Sequence, residues 1–454
     1  MNTLWASTEI AAATGGTASA PFDVNGVAFD SREVGPGDLF IALKGDSTDG
    51  HRFVAQARGQ GAAGVLVSQP VEGPHVLVPD TTAALDALGA ASRARTTGKV
   101  IGVTGSVGKT SVKEALFAAF DRAVPGHAHR SLKSYNNHVG VPLSLSRMPR
   151  DTRFGVFEMG MNHAGELRAL THLVRPHVAL VTTVALAHGA FFPNEEAIAD
   201  AKAEIFEGLE PGGIAIIPYD NVHRDRLIAA AEKFAGQIVT FGRDPAADIY
   251  AREGKAGPRG TFVQARLRNA ELGFTVALPG DHWVTNALAV LAVVEAAGGD
   301  LAAAGLAMAD LNGLAGRGRR MTIPLDGGDA LLIDESYNAN PASMRATLAM
   351  LGQERGRKIV ILGAMRELGP EEERHHAELA EPITAAGVGL ALLVGPEMKP
   401  LARALEGRID LVHVPDAAAA AAQASSLIAP GDAVLIKGSN SVGLAGVVDA
   451  LAGG

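Results

Sequence analysis

Short apolar runs bounded by glycine, proline and charged residues recur along most of the chain, with helically spaced stretches between many of them. Val100 to Val103, Phe154 to Phe157, Val178 to Val184, Ile214 to Ile217 and Ile238 to Phe241 read as strands. Helical patterns such as Val112 to Phe120 separate several of them, so a doubly wound α/β sheet is predicted. From 248 to 279 apolar and polar positions alternate, as in Thr261-Phe262-Val263-Gln264-Ala265-Arg266-Leu267, which predicts antiparallel strands at an edge. Helices from about 284 to 312 follow.

The pattern differs on either side. Up to about residue 97 turns are dense (Gly35-Pro36-Gly37, Asp49-Gly50) and apolar runs are short (Leu39 to Leu43, Gly64 to Val67). A helical pattern from Thr82 to Arg95 closes this block. After the cluster Gly316-Arg317-Gly318-Arg319-Arg320, strands at Ala330 to Ile333, Lys358 to Leu362, Leu390 to Val394 and Ala433 to Ile436 alternate with helices. The alanine-rich stretch Asp416 to Ile428 reads as one of those helices, because alanine is the best helix former. At 454 residues the chain is too long for one core, so three α/β domains are expected, 1–97, 98–315 and 316–454.

Composition narrows the function. The chain is 47% hydrophobic and carries a net charge of −9, so no basic field would attract nucleic acid. Without cysteine there are no disulfides, thiolate metal sites or cysteine nucleophiles. The first twenty residues lack a basic start and carry Glu9, unlike a signal peptide. Val178 to Ala187 and Trp283 to Val294 are too short or too polar to span a bilayer. A soluble, cytoplasmic protein without membrane insertion is expected.

Chemistry concentrates after the strands. Thr104-Gly105-Ser106-Val107-Gly108-Lys109-Thr110-Ser111 joins a predicted strand to a predicted helix. The amides of such a glycine turn, from Gly105 to Ser111, point inward at an anion, and the helix N-terminus adds its dipole. Lys109 would reach the outer phosphates of ATP, and Thr110 is placed to hold Mg²⁺. Only two residues separate Gly105 from Gly108, where the strict motif asks for four, and an ordinary strand-to-helix turn is the plainer alternative. Glu158 follows a strand, at the edge where α/β sheets bind ligands, and reads either as a Mg²⁺ carboxylate or as a helix cap. His188 follows another strand, and Lys202 lies on the helix beyond it. By spacing alone they are a loop histidine and a solvated lysine. Asp334-Glu335-Ser336-Tyr337-Asn338-Ala339-Asn340-Pro341 offers amide and phenol groups to a nucleotide, or merely a capping turn. A cleft between the second and third domains is the expected pocket.

Together these residues resemble the Mur ligase family, almost end to end. Asp30-Ser31-Arg32-Glu33-Val34-Gly35-Pro36-Gly37-Asp38-Leu39-Phe40, Ala42-Leu43-Lys44-Gly45 and Asp49-Gly50-His51 are similar to its UDP-binding domain. The shortened phosphate loop is the family's usual form. Asn136-Asn137-His138-Val139-Gly140-Val141-Pro142, Glu158-Met159-Gly160-Met161 and Gly280-Asp281-His282 through Asn286-Ala287 match its middle domain. Tyr337 to Met344, Gly363-Ala364-Met365-Arg366-Glu367-Leu368-Gly369 and Lys437-Gly438-Ser439 resemble its last domain. The segment from Tyr337 points to the type that joins D-alanyl-D-alanine to a UDP-N-acetylmuramoyl-tripeptide.

The resemblance implies a central P-loop ATPase-like sheet, a Rossmann-like C-terminal domain and a small N-terminal UDP-binding domain. It implies that Lys109 binds ATP phosphates, and that Thr110 and Glu158 hold one Mg²⁺. His188 would help hold a second, with a carbamylated Lys202. Asn286 would sit at adenine, Arg317 or Arg319 near the phosphates, and Asp334, Tyr337 and Asn338 near the nucleotide. Ser31, Arg32 and Lys44 would meet the UDP part, with Asn136 and Asn137 also on the substrate side. A monomer is expected, hinged near Gly313 to Arg320. Three places depart from the family pattern: Gly189-Ala190 for Leu-Glu, Ala364 for Asp, and Leu444-Ala445 for Met-Glu. The rival readings are the sibling ligase that adds a diamino acid, whose Asp-Asn-Pro-Arg run is absent, folate polyglutamylation, and a nucleotide-binding module without ligase activity.

Overall fold

A computed structural model describes residues 3–45, 48–186, 190–257 and 260–453. Its largest sheet has nine strands, and Lys99–Thr104 lies inside it between Phe154–Glu158 and Val178–Val181. These pairs are parallel, with Glu158 opposite Val103 and Val181 opposite Thr104. The chain leaves Lys99–Thr104 toward one side and later returns to its other side. The loop after this strand therefore lies at the point where strand order reverses, the usual ligand site of an open α/β sheet.

Alternation puts successive strand residues on opposite faces, and both faces are covered. Ile101, Val103, Val156, Leu180 and Ile216 pack with helices Lys109–Ala123 and Asp281–Ala296. Val100, Phe157, Ala179, Val181 and Ile217 pack with helices Glu166–Val174 and Glu195–Ala203. Phe120 stacks on Phe154 at 4.2 Å between ring centroids, which holds the helix after the loop to the sheet. Leu288 to Val294 are all buried, because their helix is wedged between the sheet and helices Lys109–Ala123 and Leu301–Ala309.

The predicted edge is antiparallel, from Ile249–Gly257 through Gly260–Arg266 to Glu271–Val276. The predicted strand Val178 to Val184 stops earlier, at Val181. Beyond Val181 the neighbouring strand has ended, and bonds to the loop that follows it replace the ladder. Ser106 N–H donates to Thr183 O at 2.8 Å, and Ala185 N–H donates to Ser106 Oγ at 3.0 Å.

A smaller five-stranded sheet precedes this one, in the order Thr17–Ala18, His75–Leu77, Gly64–Val67, Asp38–Ile41, Gly26–Ala28. Helix Thr81–Arg95, capped by Asp80, packs on helix Gly140–Ser146 and so joins this sheet to the central one. The last sheet has six strands, five of them in a parallel row, with antiparallel Arg319–Leu325 at one edge. The sequence reading took that edge strand for a boundary cluster, since arginine and glycine hide its alternation. Glu335 and Lys437 are paired at neighbouring strand ends of this sheet. Among the described residues, no helix is long and apolar enough to cross a membrane.

Candidate active site

The turn from Gly105 to Lys109 is shaped by contacts that only glycine admits. A Cβ on Gly105 would lie 1.9 Å from Thr182 Oγ1. That hydroxyl is fixed, because it donates to Val107 O at 2.6 Å. Gly108 caps helix Lys109–Ala123 with φ of 89°, the left-handed region. Ser106 Oγ also donates to Ala185 O at 2.8 Å, so the loop is tied to the neighbouring strand end. The result is a turn followed by a helix N-terminus, which is a ready anion site. Lys109 Nζ rests on Gly105 O at 2.6 Å, within the turn. Burial lowers its pKa, while the Glu158 carboxylate opposes that shift.

Beside the turn, Glu158 is almost fully buried. Thr110 Oγ1 donates to Glu158 Oε2 and Asn136 Nδ2 donates to Oε1, both at 2.8 Å. Buried Lys113 lies 3.9 Å from Oε2. Its Nζ donates to Ser131 O at 2.8 Å and to Lys133 O at 2.7 Å. Glu158 is therefore held by groups on two segments, helix Lys109–Ala123 and the stretch that carries Asn136. Its oxygens and the Thr110 hydroxyl are the hard donors that Mg²⁺ takes beside nucleotide phosphates. Among the described residues no three His, Cys, Asp or Glu side chains cluster as metal ligands. An all-protein cage is not needed for Mg²⁺, which keeps waters and phosphate oxygens in its shell.

The turn and Glu158 open into a cleft of about 810 Å³, whose far wall comes from the last sheet. Arg317 lies 4.3 Å above the Tyr337 ring and reaches Ser134 Oγ at 3.4 Å. Lys437 Nζ donates to Asn338 O at 2.8 Å and to Glu335 Oε2 at 3.3 Å. Burial lowers the Lys437 pKa, and Glu335 counters it. Lys109, Arg317, Arg366 and Lys437 thus gather in one cleft of an acidic chain. Such a cleft can hold a polyphosphate between two sheets.

Family models match three successive stretches: "Mur ligase family, catalytic domain" at residues 23–95, "Mur ligase middle domain" at 103–294 and "Mur ligase, glutamate ligase domain" at 319–440. The UDP-N-acetylmuramoyl-tripeptide--D-alanyl-D-alanine ligase of Escherichia coli is 35% identical over 438 residues, 95% of this chain and 94% of the relative. The chain belongs to the Mur ligase family. The ligase of the same name from Synechocystis is 35% identical, over 94% of this chain and 92% of its own. The crystal structure of MurF from Acinetobacter baumannii superposes with a TM-score of 0.85 at 30% identity, covering 99% of each chain. The MurF ligase of Thermotoga maritima in complex with ADP, at 24% identity and a TM-score of 0.78, shares the fold over 95% of this chain and 97% of its own.

Within this Mur ligase fold the structure gathers Ser106, Val107, Gly108, Lys109, Thr110 and Ser111 at the cleft with Asn136, Glu158, Asn286, Arg317, Tyr337 and Asn338. Gly105 lies just behind them, under the Lys109 amine. His188 lies outside the described residues. Lys202, expected from spacing to be solvated, is instead 1% exposed. Burial sets its pKa well below the usual lysine value, and the Lys109 charge adds to that.

Other expected residues stand elsewhere. Asp334 is buried behind the cleft wall, where it accepts from Gly316 N–H at 2.6 Å and from Ser336 Oγ at 2.6 Å. It shapes the turn that carries Arg317 and Tyr337. Arg319 is exposed on the edge strand and does not line the cleft. Asn137 caps helix Gly140–Ser146, accepting from Gly140 N–H at 2.9 Å. Ser31, Arg32 and Lys44 lie on loops of the N-terminal sheet. Ser31 Oγ donates to Gln56 Oε1 at 3.2 Å, Arg32 pairs with Asp30 at 2.6 Å, and the Lys44 backbone pairs with that of Asp49 in an isolated antiparallel bridge. The sequence reading gave no role to Lys113 or Lys437. Lys437 at a strand end was a usable signal, whereas nothing in the local pattern reveals that Lys113 is buried.

Proposed function

We propose that this chain is an ATP-dependent ligase that joins D-alanyl-D-alanine to UDP-N-acetylmuramoyl-tripeptide, in cytoplasmic peptidoglycan precursor synthesis. The observation that carries the reading is likeness over nearly the whole chain to relatives that bear that one name. The cleft supplies the chemistry. The tripeptide carboxylate attacks the γ-phosphate of ATP, releasing ADP and forming an acyl phosphate. The dipeptide amine attacks that carbonyl, loses a proton and expels phosphate.

Charge gathers on the transferring phosphoryl group, so cations and amides are needed more than a nucleophilic side chain. Lys109 and the turn amides from Val107 to Ser111 face the phosphates. Thr110 and Glu158 have the donor chemistry to hold Mg²⁺, which when bound neutralises phosphate charge. Arg317 and Lys437 complete the positive wall. Lys202 is buried and held toward its neutral amine, the form that reacts with carbon dioxide. Carbamylated, it would present a carboxylate to a second Mg²⁺, for which His188 is the other proposed ligand. Ser31, Arg32 and Lys44 take the UDP end, with Asn136 on the path to the ATP end.

The segments 1–97, 98–315 and 316–454 act as three domains of a monomer, hinged near Gly313 to Arg320. The test is phosphate release from ATP and Mg²⁺ with UDP-N-acetylmuramoyl-tripeptide, with and without D-alanyl-D-alanine, plus product mass. Release that needs both partners, with a product heavier by two alanines, is expected. Release indifferent to both overturns the reading.

A further inference from the structure

Three donors from one stretch of the central region converge on a single carboxylate of the N-terminal sheet. Glu33 Oε1 accepts from Lys133 Nζ and, at 2.9 Å, from the Tyr135 hydroxyl. Arg147 approaches Oε2 at 3.9 Å, and its Nε donates to Val27 O at 2.5 Å. Tyr135 also packs on Phe29 at 5.8 Å between ring centroids. Glu33 belongs to the same short turn, Ser31–Glu33, as Ser31 and Arg32. An exposed ion pair alone is weak. Here Lys133 is about two-thirds exposed, but Glu33 is about one-quarter exposed and Arg147 less, and a phenol and a ring contact share the junction.

The other end of this stretch reaches the phosphate turn. Lys113, on the helix that follows the turn, donates to Ser131 O and Lys133 O at 2.8 and 2.7 Å. Ser131 Oγ accepts from Glu158 N–H at 3.0 Å, and Asn136 Nδ2 donates to Glu158 Oε1 at 2.8 Å. Asn136 O accepts from Gly160 N–H at 2.7 Å. Lys133 sits at φ of 50°, a left-handed conformation that a lysine keeps only where its surroundings over-determine it. Its backbone carbonyl and its ammonium are both engaged, on opposite sides. Residues 131–136 are thus clamped between Glu33 and Glu158.

We propose that Glu33 is a positioning residue, through which occupancy of the Ser31–Glu33 turn sets Asn136 and Glu158 for the nucleotide. The inference rests on the proposed function, since it takes the UDP end of the substrate to lie at that turn. A ligand that orders the turn orders Glu33, then Lys133 and Tyr135, then the Glu158 cradle. By reciprocity the nucleotide must tighten the UDP end by the same factor.

The test uses the full chain and calorimetric titration of ADP with Mg²⁺, alone and with saturating UDP-N-acetylmuramoyl-tripeptide. In the wild type the second ligand should tighten ADP binding by about fivefold or more. In Glu33→Gln, and independently in Lys133→Met, that ratio should fall below about twofold, with each ligand still bound alone. Thermal unfolding of each variant accompanies the titration, so that if one variant does not fold the other decides. A merely structural tie would lower the melting temperature and leave the ratio intact, which would overturn the proposal. So would a wild type that ligates without any coupling. A wild type that binds ADP but makes no ligated product overturns the ligase reading itself, and this inference with it.

Discussion

Lys113→Met removes one buried ammonium and leaves a side chain of similar length. In the native protein that ammonium is fully buried, donates to Ser131 O and Lys133 O, and lies 2.9 Å from Glu114 Oε1 and 3.9 Å from Glu158 Oε2. Methionine fills the space but offers no donor, so two carbonyls lose their partner and Glu158 loses its nearest buried cation. Glu114 keeps Arg130 at 2.7 Å and suffers less. Hydrogen bonds to a charged group contribute about 1.5–3 kcal/mol each. Breaking one side of a buried pair costs about 3–5 kcal/mol. The apolar methionine returns about 1 kcal/mol of burial. The hydrogen-bond and ion-pair costs count loss of the same ammonium and do not add, so a pair cost of about 5 kcal/mol less about 1 for methionine leaves a net loss of about 4 kcal/mol.

Urea unfolding followed by tryptophan fluorescence measures it. The chain has 2 tryptophans, Trp5 and Trp283, one in the first region and one in the central core, so the signal does not report on the last sheet. That matters because separate cores need not unfold in one step. With a slope of about 3 kcal/mol per molar urea, the midpoint should fall by about 1.3 M. A fall below about 0.3 M would mean that the desolvation cost of the ammonium cancels its bonds, and the clamp on residues 131–136 would not hold.

Further outcomes follow from the same geometry. Gly108→Ala forces a Cβ into a left-handed position 3.0 Å from Asn286 Oδ1. Strain of about 1–2 kcal/mol should raise KM for ATP about tenfold in the phosphate-release assay, and an unchanged KM would refute the assigned turn. Lys202→Met replaces a buried amine with an apolar chain, so stability should hold or rise while ligation falls about 100-fold, as for a group that supports a metal site. A variant both stable and fully active would leave Lys202 a packing residue.

His129 provides the pH dependence. Burial pushes its pKa down from 6.5 to about 4, while its Nε2–H donates to Ser144 O at 2.8 Å. As pH falls the unfolded chain takes the proton first, so this stability is present above pH 6.5 and lost toward pH 4. Between pH 7.5 and 5 the loss should be about 2 kcal/mol, visible as a larger fall in urea midpoint than His129→Gln shows. Equal falls would remove His129 from the acid response.

Much of the frame was legible because local pattern and tertiary role coincide. Lys99–Thr104 and its turn are flanked by an apolar run and a helical one, and the glycines sit where positive φ and close approach require them. The alternation after 248 announced antiparallel strands, since one face is buried and the other wet. Arg319–Leu325 stayed hidden because its apolar face, Met321, Ile323 and Leu325, is short, follows two arginines and is interrupted by Pro324.

The sequence by itself determined where the strands and turns fall and which ends carry polar groups, because those depend on period and on residues nearby in the chain. Only the tertiary structure decided which of those ends meet. Glu33 and Lys133, or Ser134 and Arg317, are far apart in sequence and joined only when sheets pack. Burial is likewise a property of the packed whole. It turned Lys202 from a helix-surface lysine into a neutral-leaning amine and Lys113 into a clamp, because the cost of desolvating a charge depends on every element that closes over it.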